Sequence, residues 1–173
     1  MNTATTMLCG LAGARPTFAS VAEAELDSVH GYLLFLTSDR DVAGDLTGAT
    51  FEKAFRTWRR FDPHRGTARA WLCTIARNAA LDHFRAEQRR VRREAEYVRG
   101  TTAVAESAFD DGAVPAALRE LSPAEREVVA LRVVLDMDAP TTARILGISA
   151  TACSTRLSRA MKRLEELMSD ACV

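Results

Sequence analysis

The chain has 173 residues, of which 47% are hydrophobic and 27% charged, a length that suits one medium domain or two small ones. No apolar run approaches the ~20 residues that cross a bilayer, and the first residues lack the basic start and apolar stretch of a secretory signal. These features predict a globular cytoplasmic protein that makes no membrane contact.

The formal net charge of zero conceals two basic segments separated by an acidic one. Residues 53–99 carry 13 basic and 5 acidic side chains, residues 100–143 carry 3 and 8, and residues 144–163 carry 5 and 0. Of the 23 basic residues, 21 are arginine, whose planar guanidinium suits phosphates and base edges. Two separate basic segments indicate two contacts with nucleic acid.

The cysteines and histidines do not form a metal-binding pattern. No C-x-x-C pair occurs, and the histidines complete no zinc-ligand spacing with the cysteines. We therefore expect reduced thiols and no metal or cofactor. The cysteines are Cys9, Cys73, Cys153 and Cys172.

The first third of the chain predicts two helices after a frayed N-terminus over residues 1–17. Apolar positions recur at helical spacing from Phe18 to about Thr37, a turn with capping residues follows at 38–41, and a second helix runs to about Phe61. The apolar positions of the first helix are Val21, Leu26, Val29, Leu33 and Leu36.

A third, amphipathic helix is predicted over residues 71–93, after a break at 62–66 and a capping Thr67. Its apolar stripe consists of Leu72, Ile75, Ala76 and Ala79. A different face carries Asn78, Asp82, Arg85, Arg89 and Arg92. Five of the last nine residues are arginine, which suits a polyanion, although a solvated surface helix is the alternative. The three helices predict a compact domain over residues 18–93.

A second domain is predicted over residues 115–168, after a flexible linker at 94–114 and before a short tail at 169–173. Ser122, Pro123 and Glu125 match a capping box with proline at the first helical position. The helix over 123–135 is expected to bury Val128, Val129, Leu131 and either Val134 or Leu135.

A short helix over Ala139–Leu146, a turn at Gly147 and Ile148, and a longer helix capped by Ser149 match a helix-turn-helix. Glycine accepts the positive φ of this turn. The buried face of the final helix is predicted to contain Cys153, Leu157, Ala160, Leu164 and Met168. Its outward face carries Ser154, Thr155, Arg156, Ser158, Arg159, Lys162 and Arg163. Such a face fits the major groove of DNA, and a structural helical hairpin with a basic rim is the alternative.

Together these segments resemble the sigma-70 family of bacterial RNA polymerase initiation factors, in particular the small extracytoplasmic-function group. The strongest parts are residues 61–93, which begin FDPHRGTARAWLCTIARNAALDHFR, and residues 118–167. The resemblance implies an all-α fold of two small helical domains, a sigma-2 bundle and a sigma-4 helix-turn-helix, joined by a flexible linker. It also implies a non-catalytic factor that directs core polymerase to promoters, reads the minus-ten and minus-thirty-five elements, and promotes melting.

The resemblance further implies a docking site for the beta-prime clamp helices of the polymerase on residues 41–55. The positions that keep the family pattern are Asp45, Leu46, Phe51 and Phe55. The positions that depart from it are Gly44, Thr47, Gly48 and Ala49. The other implied partners are the beta flap, promoter DNA in double- and single-stranded form, and an anti-sigma factor.

For the minus-ten element, the resemblance implies a site that captures a flipped base between the loop at 61–68 and the third helix. Asn78 is the candidate for reading the base. Arg77, Arg85, Arg89 and Arg90 would hold the strand backbone. His64 and Trp71 are candidates for base stacking, although core anchoring is the favoured role of Trp71. Arg65 and Asp82 complete the predicted set.

For the minus-thirty-five element, four basic residues match the family's recognition helix: Arg156, Arg159, Lys162 and Arg163. Ala152, Cys153 and Ser154 depart from the family pattern, as do residues 140–142, so we expect an unusual promoter sequence.

Two other classes of protein compete with this interpretation. A conventional repressor or activator would use the helix-turn-helix alone, usually as a dimer on a palindrome. An enzyme would need clustered carboxylates or a phosphate-binding loop, and the nearest cluster is better explained as capping and surface charge. That cluster is Asp39, Asp41 and Asp45.

Overall fold

The structure is a computed structural model that describes residues 16–97, 117–118 and 120–170. These residues form helices and turns and contain no strand, so the predicted all-α fold is confirmed. The helices are α1 (Phe18–Thr37), α2 (Arg40–Thr57), a 3₁₀ turn (Trp58–Arg60), α3 (Ala68–Tyr97), α4 (Pro123–Val129), a π-helical turn (Ala130–Val134), α5 (Ala139–Leu146) and α6 (Ala150–Asp170). Most of the predicted N-terminal segment and linker lies outside the described residues.

The turn between α1 and α2 contains the predicted capping residue. The Asp39 carboxylate accepts hydrogen bonds from the backbone N–H groups of Asp41 (2.9 Å) and Val42 (3.0 Å). Ser38 ends α1 in the left-handed region at φ 57°. The second helix ends at Thr57 rather than near Phe61, because the chain tightens there into the 3₁₀ turn.

Helices α1, α2 and α3 pack together as the predicted bundle. All of the predicted apolar positions of α1 are buried except Leu26, which is exposed. The prediction for Leu26 was wrong because it lies at the edge of the apolar stripe, and the fully buried Tyr32 lies nearer its centre.

Helix α3 begins after the predicted cap, where the Thr67 hydroxyl accepts from the backbone N–H of Ala70 at 3.2 Å. The helix continues to Tyr97, four residues beyond the expected end at Arg93. Its buried stripe is wider than predicted, because Cys73 and Ala80 are also buried, whereas Ala79 is only half-buried.

In the second domain the capping box forms as predicted. The Ser122 hydroxyl accepts from the Glu125 backbone N–H, and the Glu125 carboxylate accepts from the Ser122 N–H at 3.0 Å. The helix that follows is not α-helical as far as Leu135, because it widens into the π-helical turn from Ala130. Leu135 is buried and Val134 is exposed, which decides between the two predicted core positions.

The helix-turn-helix is present as predicted. Gly147 adopts φ 70° at the turn, and Ile148 packs against the core. The Ser149 hydroxyl caps α6 by accepting from the backbone N–H of Ala152 at 3.1 Å. Of the predicted inner face, Cys153 and Ala160 are buried, and Leu157 and Leu164 are half-buried. Met168 is exposed, contrary to prediction, because the last turns of α6 run past the helices that cover its inner face.

The two domains are packed against each other. Helix α4 and the π-helical turn contact α1, and α5 contacts α3, so the buried apolar side chains form one continuous core. Among the described residues, no helix is long and apolar enough to cross a membrane.

Candidate nucleic-acid interface

The outward face of α6 presents a row of polar and basic side chains. Ser154, Thr155, Ser158, Arg159, Lys162 and Arg163 are exposed, and Arg156 is half-buried. An open groove lies beside the start of this row, where α6 approaches the start of α4, and it is lined in part by Ser122, Glu125, Thr155, Arg156 and Arg159. The pKa of Glu125 is lowered, first by the hydrogen bond from the Ser122 hydroxyl and, less strongly, by Arg163 and Arg156. The positive charge of α6 therefore extends to this groove.

The second basic surface runs along the exposed side of α3. Asn78, Asp82, Arg85, Arg89 and Arg90 are all exposed. Two arginines form ion pairs within the helix, Arg85 with Asp82 (3.1 Å) and Arg90 with Glu87 (2.5 Å). Exposed ion pairs of this kind contribute little to stability, so a phosphate can replace the carboxylate at small cost.

The loop before α3 forms one wall of a cavity of about 350 Å³. The loop is shaped by Asp62, whose carboxylate accepts from the backbone N–H of His64 at 3.0 Å. His64 and Arg65 are exposed. The opposite wall comes from the second domain and consists of Thr141, Arg144 and Ile145.

Trp71 lies in an aromatic cluster that joins the loop to the first domain. Its ring centroid is 5.8 Å from that of Trp58 and 5.5 Å from that of Phe61. These contacts favour the core-anchoring role, although the half-buried side chain also lines the cavity.

Arg77 differs from the other predicted strand-holding arginines, because its guanidinium contacts the second domain. Its Nε lies 3.0 Å from Oε1 of Glu127, and its Nη2 donates to Oε2 at 3.2 Å. The Nε contact is an ion pair without hydrogen-bond geometry. The sequence contains no periodicity that links positions 50 residues apart, so sequence reasoning missed Glu127. It also missed Arg144, whose Nη1 donates to the backbone oxygen of Arg65 at 3.0 Å.

The predicted polymerase-docking positions lie on α2. Asp45 and Phe55 are exposed, whereas Leu46 and Phe51 are half-buried. The Phe55 ring is 66% exposed and lies 5.2 Å from the ring of Phe18. Phe18 was not among the predicted positions, because its place at the start of α1 indicates only a helix end.

These features define a DNA-binding protein with a helix-turn-helix domain and a separate arginine-rich helix. Comparison with known proteins is more specific. The family model for Sigma-70 region 2 matches residues 21–90, and that for Sigma-70, region 4 matches residues 111–164. The chain belongs to the sigma-70 family of RNA polymerase sigma factors, within the extracytoplasmic-function group.

Individual relatives agree with this assignment. The RNA polymerase sigma factor CarQ of Myxococcus xanthus is 34% identical over 166 residues, which cover 91% of this chain and 92% of CarQ. The sigma factor BldN of Streptomyces coelicolor is 30% identical over 92% of this chain, which spans only 63% of the length of BldN.

Solved structures show the same fold. The sigma factor RpoE of Bartonella quintana, crystallised with the anti-sigma factor NepR, matches with a TM-score of 0.76 and 27% identity over 88% of this chain and 96% of RpoE. CnrH, solved with the cytosolic domain of CnrY, has a TM-score of 0.65 and 24% identity over 88% of each chain, and supports the fold alone.

Proposed function

We propose that this chain is a dissociable promoter-specificity factor that directs core RNA polymerase to specific promoters, recognises their minus-ten and minus-thirty-five elements, and promotes DNA melting. We expect it to have no catalytic activity of its own and to act in the cytoplasm with the polymerase. The observation that carries the proposal is the presence of two exposed, arginine-rich helical surfaces, on α3 and on α6, in a chain of this family.

In this proposal, α3 holds the melted strand of the minus-ten element. Asn78 is exposed about two turns before Arg85, the first arginine of the arginine-rich half of the helix, where it can hydrogen-bond to an extruded base. Arg85, Arg89 and Arg90 contact the backbone and contribute affinity without sequence preference. His64, in the exposed loop, supplies a ring for stacking.

The α6 helix reads the minus-thirty-five element in the major groove. Arg156 and Arg159, near the start of the helix, are placed to contact base edges or phosphates, and Lys162 and Arg163 extend the basic row. The exposed hydroxyls of Ser154, Thr155 and Ser158 add donors and acceptors.

The partners follow from the family. Asp45, Leu46, Phe51 and Phe55 dock on the beta-prime clamp helices, where the exposed Phe55 ring supplies apolar area, and the second domain contacts the beta flap. Because the RpoE structure contains an anti-sigma factor, we also propose that this chain is held by an anti-sigma factor.

The test is run-off transcription with core polymerase on a randomised promoter pool. Asn78→Ala should slow promoter opening, and Arg156→Ala should reduce recognition of the upstream element, each by about tenfold, since a good base contact is worth about 1–3 kcal/mol. Ser169→Ala, an exposed change near the end of α6, is the control. If the wild-type chain initiates nowhere in the pool but binds duplex DNA tightly on its own, the conventional repressor or activator replaces this proposal.

A further inference from the structure

The groove between the start of α4 and the outward face of α6 contains a carboxylate among basic and hydroxyl side chains. Its volume is about 530 Å³. Among the described residues that line it, Glu125 alone carries a carboxylate, whereas Arg156 and Arg159 carry guanidinium groups and Ser122 and Thr155 carry hydroxyls. A carboxylate repels phosphates, so its presence in a surface that is proposed to bind DNA indicates a role other than general affinity.

The Glu125 carboxylate is fixed by its hydrogen bonds with Ser122. Its Oε2 accepts from the Ser122 backbone N–H at 3.0 Å and from the Ser122 hydroxyl at 2.6 Å. The same hydroxyl accepts from the Glu125 backbone N–H at 3.3 Å. These bonds form the capping box of α4 and hold the side chain in one place. The carboxylate therefore cannot turn away from bound DNA without breaking the cap.

The second oxygen of this carboxylate remains an open acceptor. Glu125 Oε1 accepts no hydrogen bond from any residue that the structure describes. Arg156 and Arg163 lie close enough to contribute to the lowered pKa of Glu125, but within the described part of the chain neither forms an ion pair with it. Glu125 is thus an ionised, half-buried side chain with an unpaired acceptor beside the groove.

A fixed carboxylate distinguishes base edges by the hydrogen bonds they donate. In the major groove cytosine presents the N4 amine, adenine presents the N6 amine beside the N7 acceptor, and guanine and thymine present acceptors. An ionised carboxylate only accepts, so cytosine is its best partner. The guanine paired with that cytosine offers O6 and N7, which suit the guanidinium of Arg156 or Arg159 in the same groove.

We propose that Glu125 is a specificity-determining residue that accepts a hydrogen bond from the N4 amine of one cytosine in the minus-thirty-five element. The inference rests on the proposed function, in which α6 reads this element in the major groove, and it adds a reading residue outside α6. Because its charge repels phosphates, Glu125 contributes selectivity rather than general affinity. The capping box then both begins α4 and holds an acceptor beside the DNA.

The test compares the base preferences of the wild type and Glu125→Gln. Glutamine keeps the capping box, because its amide oxygen can accept from the Ser122 N–H. Its amide nitrogen then takes the place of Oε1 and donates into the groove. The matched control is Glu120→Gln, the same change at an exposed position two residues before Ser122 that does not line the groove.

Randomised duplexes are selected twice, by run-off transcription with core polymerase and by retention on the chain alone, and are then sequenced. The wild type should enrich cytosine by at least about fivefold at one position of the upstream element, and Glu125→Gln should prefer guanine or thymine there. Glu120→Gln should select the wild-type sequence. An unchanged sequence with Glu125→Gln, an equal change at every position, or the same change with Glu120→Gln would overturn the proposal.

A change in the DNA tests the contact without any variant of the protein. Pyrimidin-2-one lacks only the N4 amine of cytosine. Placed at each cytosine of the selected element in turn, it should weaken binding of the wild type by about fivefold at one of them, because one hydrogen bond to a charged acceptor is lost. At that position Glu125→Gln should not distinguish the two bases. Equal binding by the wild type at every position overturns the contact, even if Glu125→Gln does not fold.

The two selections separate this proposal from the proposed function. A chain that never initiates with core polymerase overturns the function, while the selection on the chain alone still tests Glu125. A chain that initiates at defined promoters, while Glu125→Gln leaves the selected sequence unchanged, overturns only the role of Glu125. A chain that neither initiates nor retains duplex DNA overturns both.

Discussion

Cys73 and Tyr32 are fully buried side chains with ionisable groups. Burial raises the pKa of the Cys73 thiol to about 12, and the nearby Glu25 carboxylate adds to the shift. The thiol is therefore protonated throughout the physiological range. Cys73 is a core side chain, in contrast to a reactive surface cysteine.

We predict that Cys73 resists alkylation while the chain is folded. At pH 8 a thiol with this pKa is ionised in about one molecule in ten thousand, and only the thiolate reacts. Iodoacetamide labelling followed by peptide mass spectrometry should show Cys73 modified in urea but not in buffer. Native labelling within about tenfold of the rate in urea would contradict the buried placement.

At the scale of the helices, caps and glycines set local stability. The two glycines of α2, Gly44 and Gly48, are exposed, and a Cβ added at either would meet no atom within 4 Å. Gly147 also has open space around it, but its φ of 70° is a conformation that side chains disfavour. Substitution by alanine should therefore stabilise the folded chain at the two α2 positions and destabilise it at Gly147.

We predict that Gly44→Ala and Gly48→Ala each raise the free energy of unfolding by about 1 kcal/mol, because alanine is the better helix former. Gly147→Ala should lower it by about 1 kcal/mol. Urea denaturation followed by circular dichroism measures all three. Loss of stability at either α2 position would mean that the added methyl group meets an obstacle.

The helix caps of the second domain make its stability depend on pH in the acidic range. The pKa of Asp138 is lowered, first by the hydrogen bond from the Thr141 backbone N–H, and that of Glu125 is lowered by its hydrogen bonds with Ser122. Each carboxyl group therefore has a lower pKa in the folded chain than in the unfolded chain. The stabilisation it provides is fully present above its ordinary pKa, which is 3.8 for Asp138 and 4.5 for Glu125, and is lost as pH falls through the lower pKa of the folded state.

We therefore predict that the chain loses stability as pH falls below about 4.5, and that Asp138→Asn weakens this dependence, because asparagine caps a helix without titrating. Thermal unfolding at several pH values between 6 and 3 measures the effect. Asp27→Asn, an exposed change in the middle of α1, is the control. Identical acid dependence in the Asp138 variant and the wild type would show that the cap contributes nothing.

At the scale of the whole molecule, the arrangement of the two domains decides which surfaces are available. The continuous core, the ion pair between Arg77 and Glu127, and the contact of Arg144 with the loop all keep the second domain on α1 and α3. In this arrangement the outward face of α6 and the Phe55 end of α2 remain exposed, and so do Asn78 and the arginines of α3 other than Arg77 that are proposed to hold the strand.

We predict that core polymerase separates the domains. Spin labels at Lys53→Cys and Glu165→Cys, in a Cys9→Ser, Cys172→Ser background, should show one short distance in the free chain and a longer one after core polymerase is added, because docking on α2 and on the second domain favours separated domains. Bovine serum albumin at the same mass concentration is the control for crowding. A distance that stays short in the polymerase complex would show that opening needs promoter DNA.

Much of the molecule could be predicted without coordinates, because the relevant forces act over a few residues. Caps at Asp39, Thr67, Ser122 and Ser149 satisfy N–H groups two or three positions away, and the 3.6-residue period places most buried side chains. The predictions that were wrong at single positions also have causes within a few residues. Leu26 lies at the edge of the apolar stripe of α1, and the π-helical turn at Ala130 rotates the residues that follow it.

The amino-acid sequence by itself determined the helices, the helix-turn-helix, the two basic surfaces and the family, because each rests on neighbouring residues or on a recurring motif. Only the tertiary structure decided that Trp71 joins an aromatic cluster, that Leu135 rather than Val134 is buried, and that Arg77 meets Glu127. These pairings join residues far apart along the chain. They depend on how two independently patterned domains exclude water from a shared boundary, and no local periodicity encodes that choice.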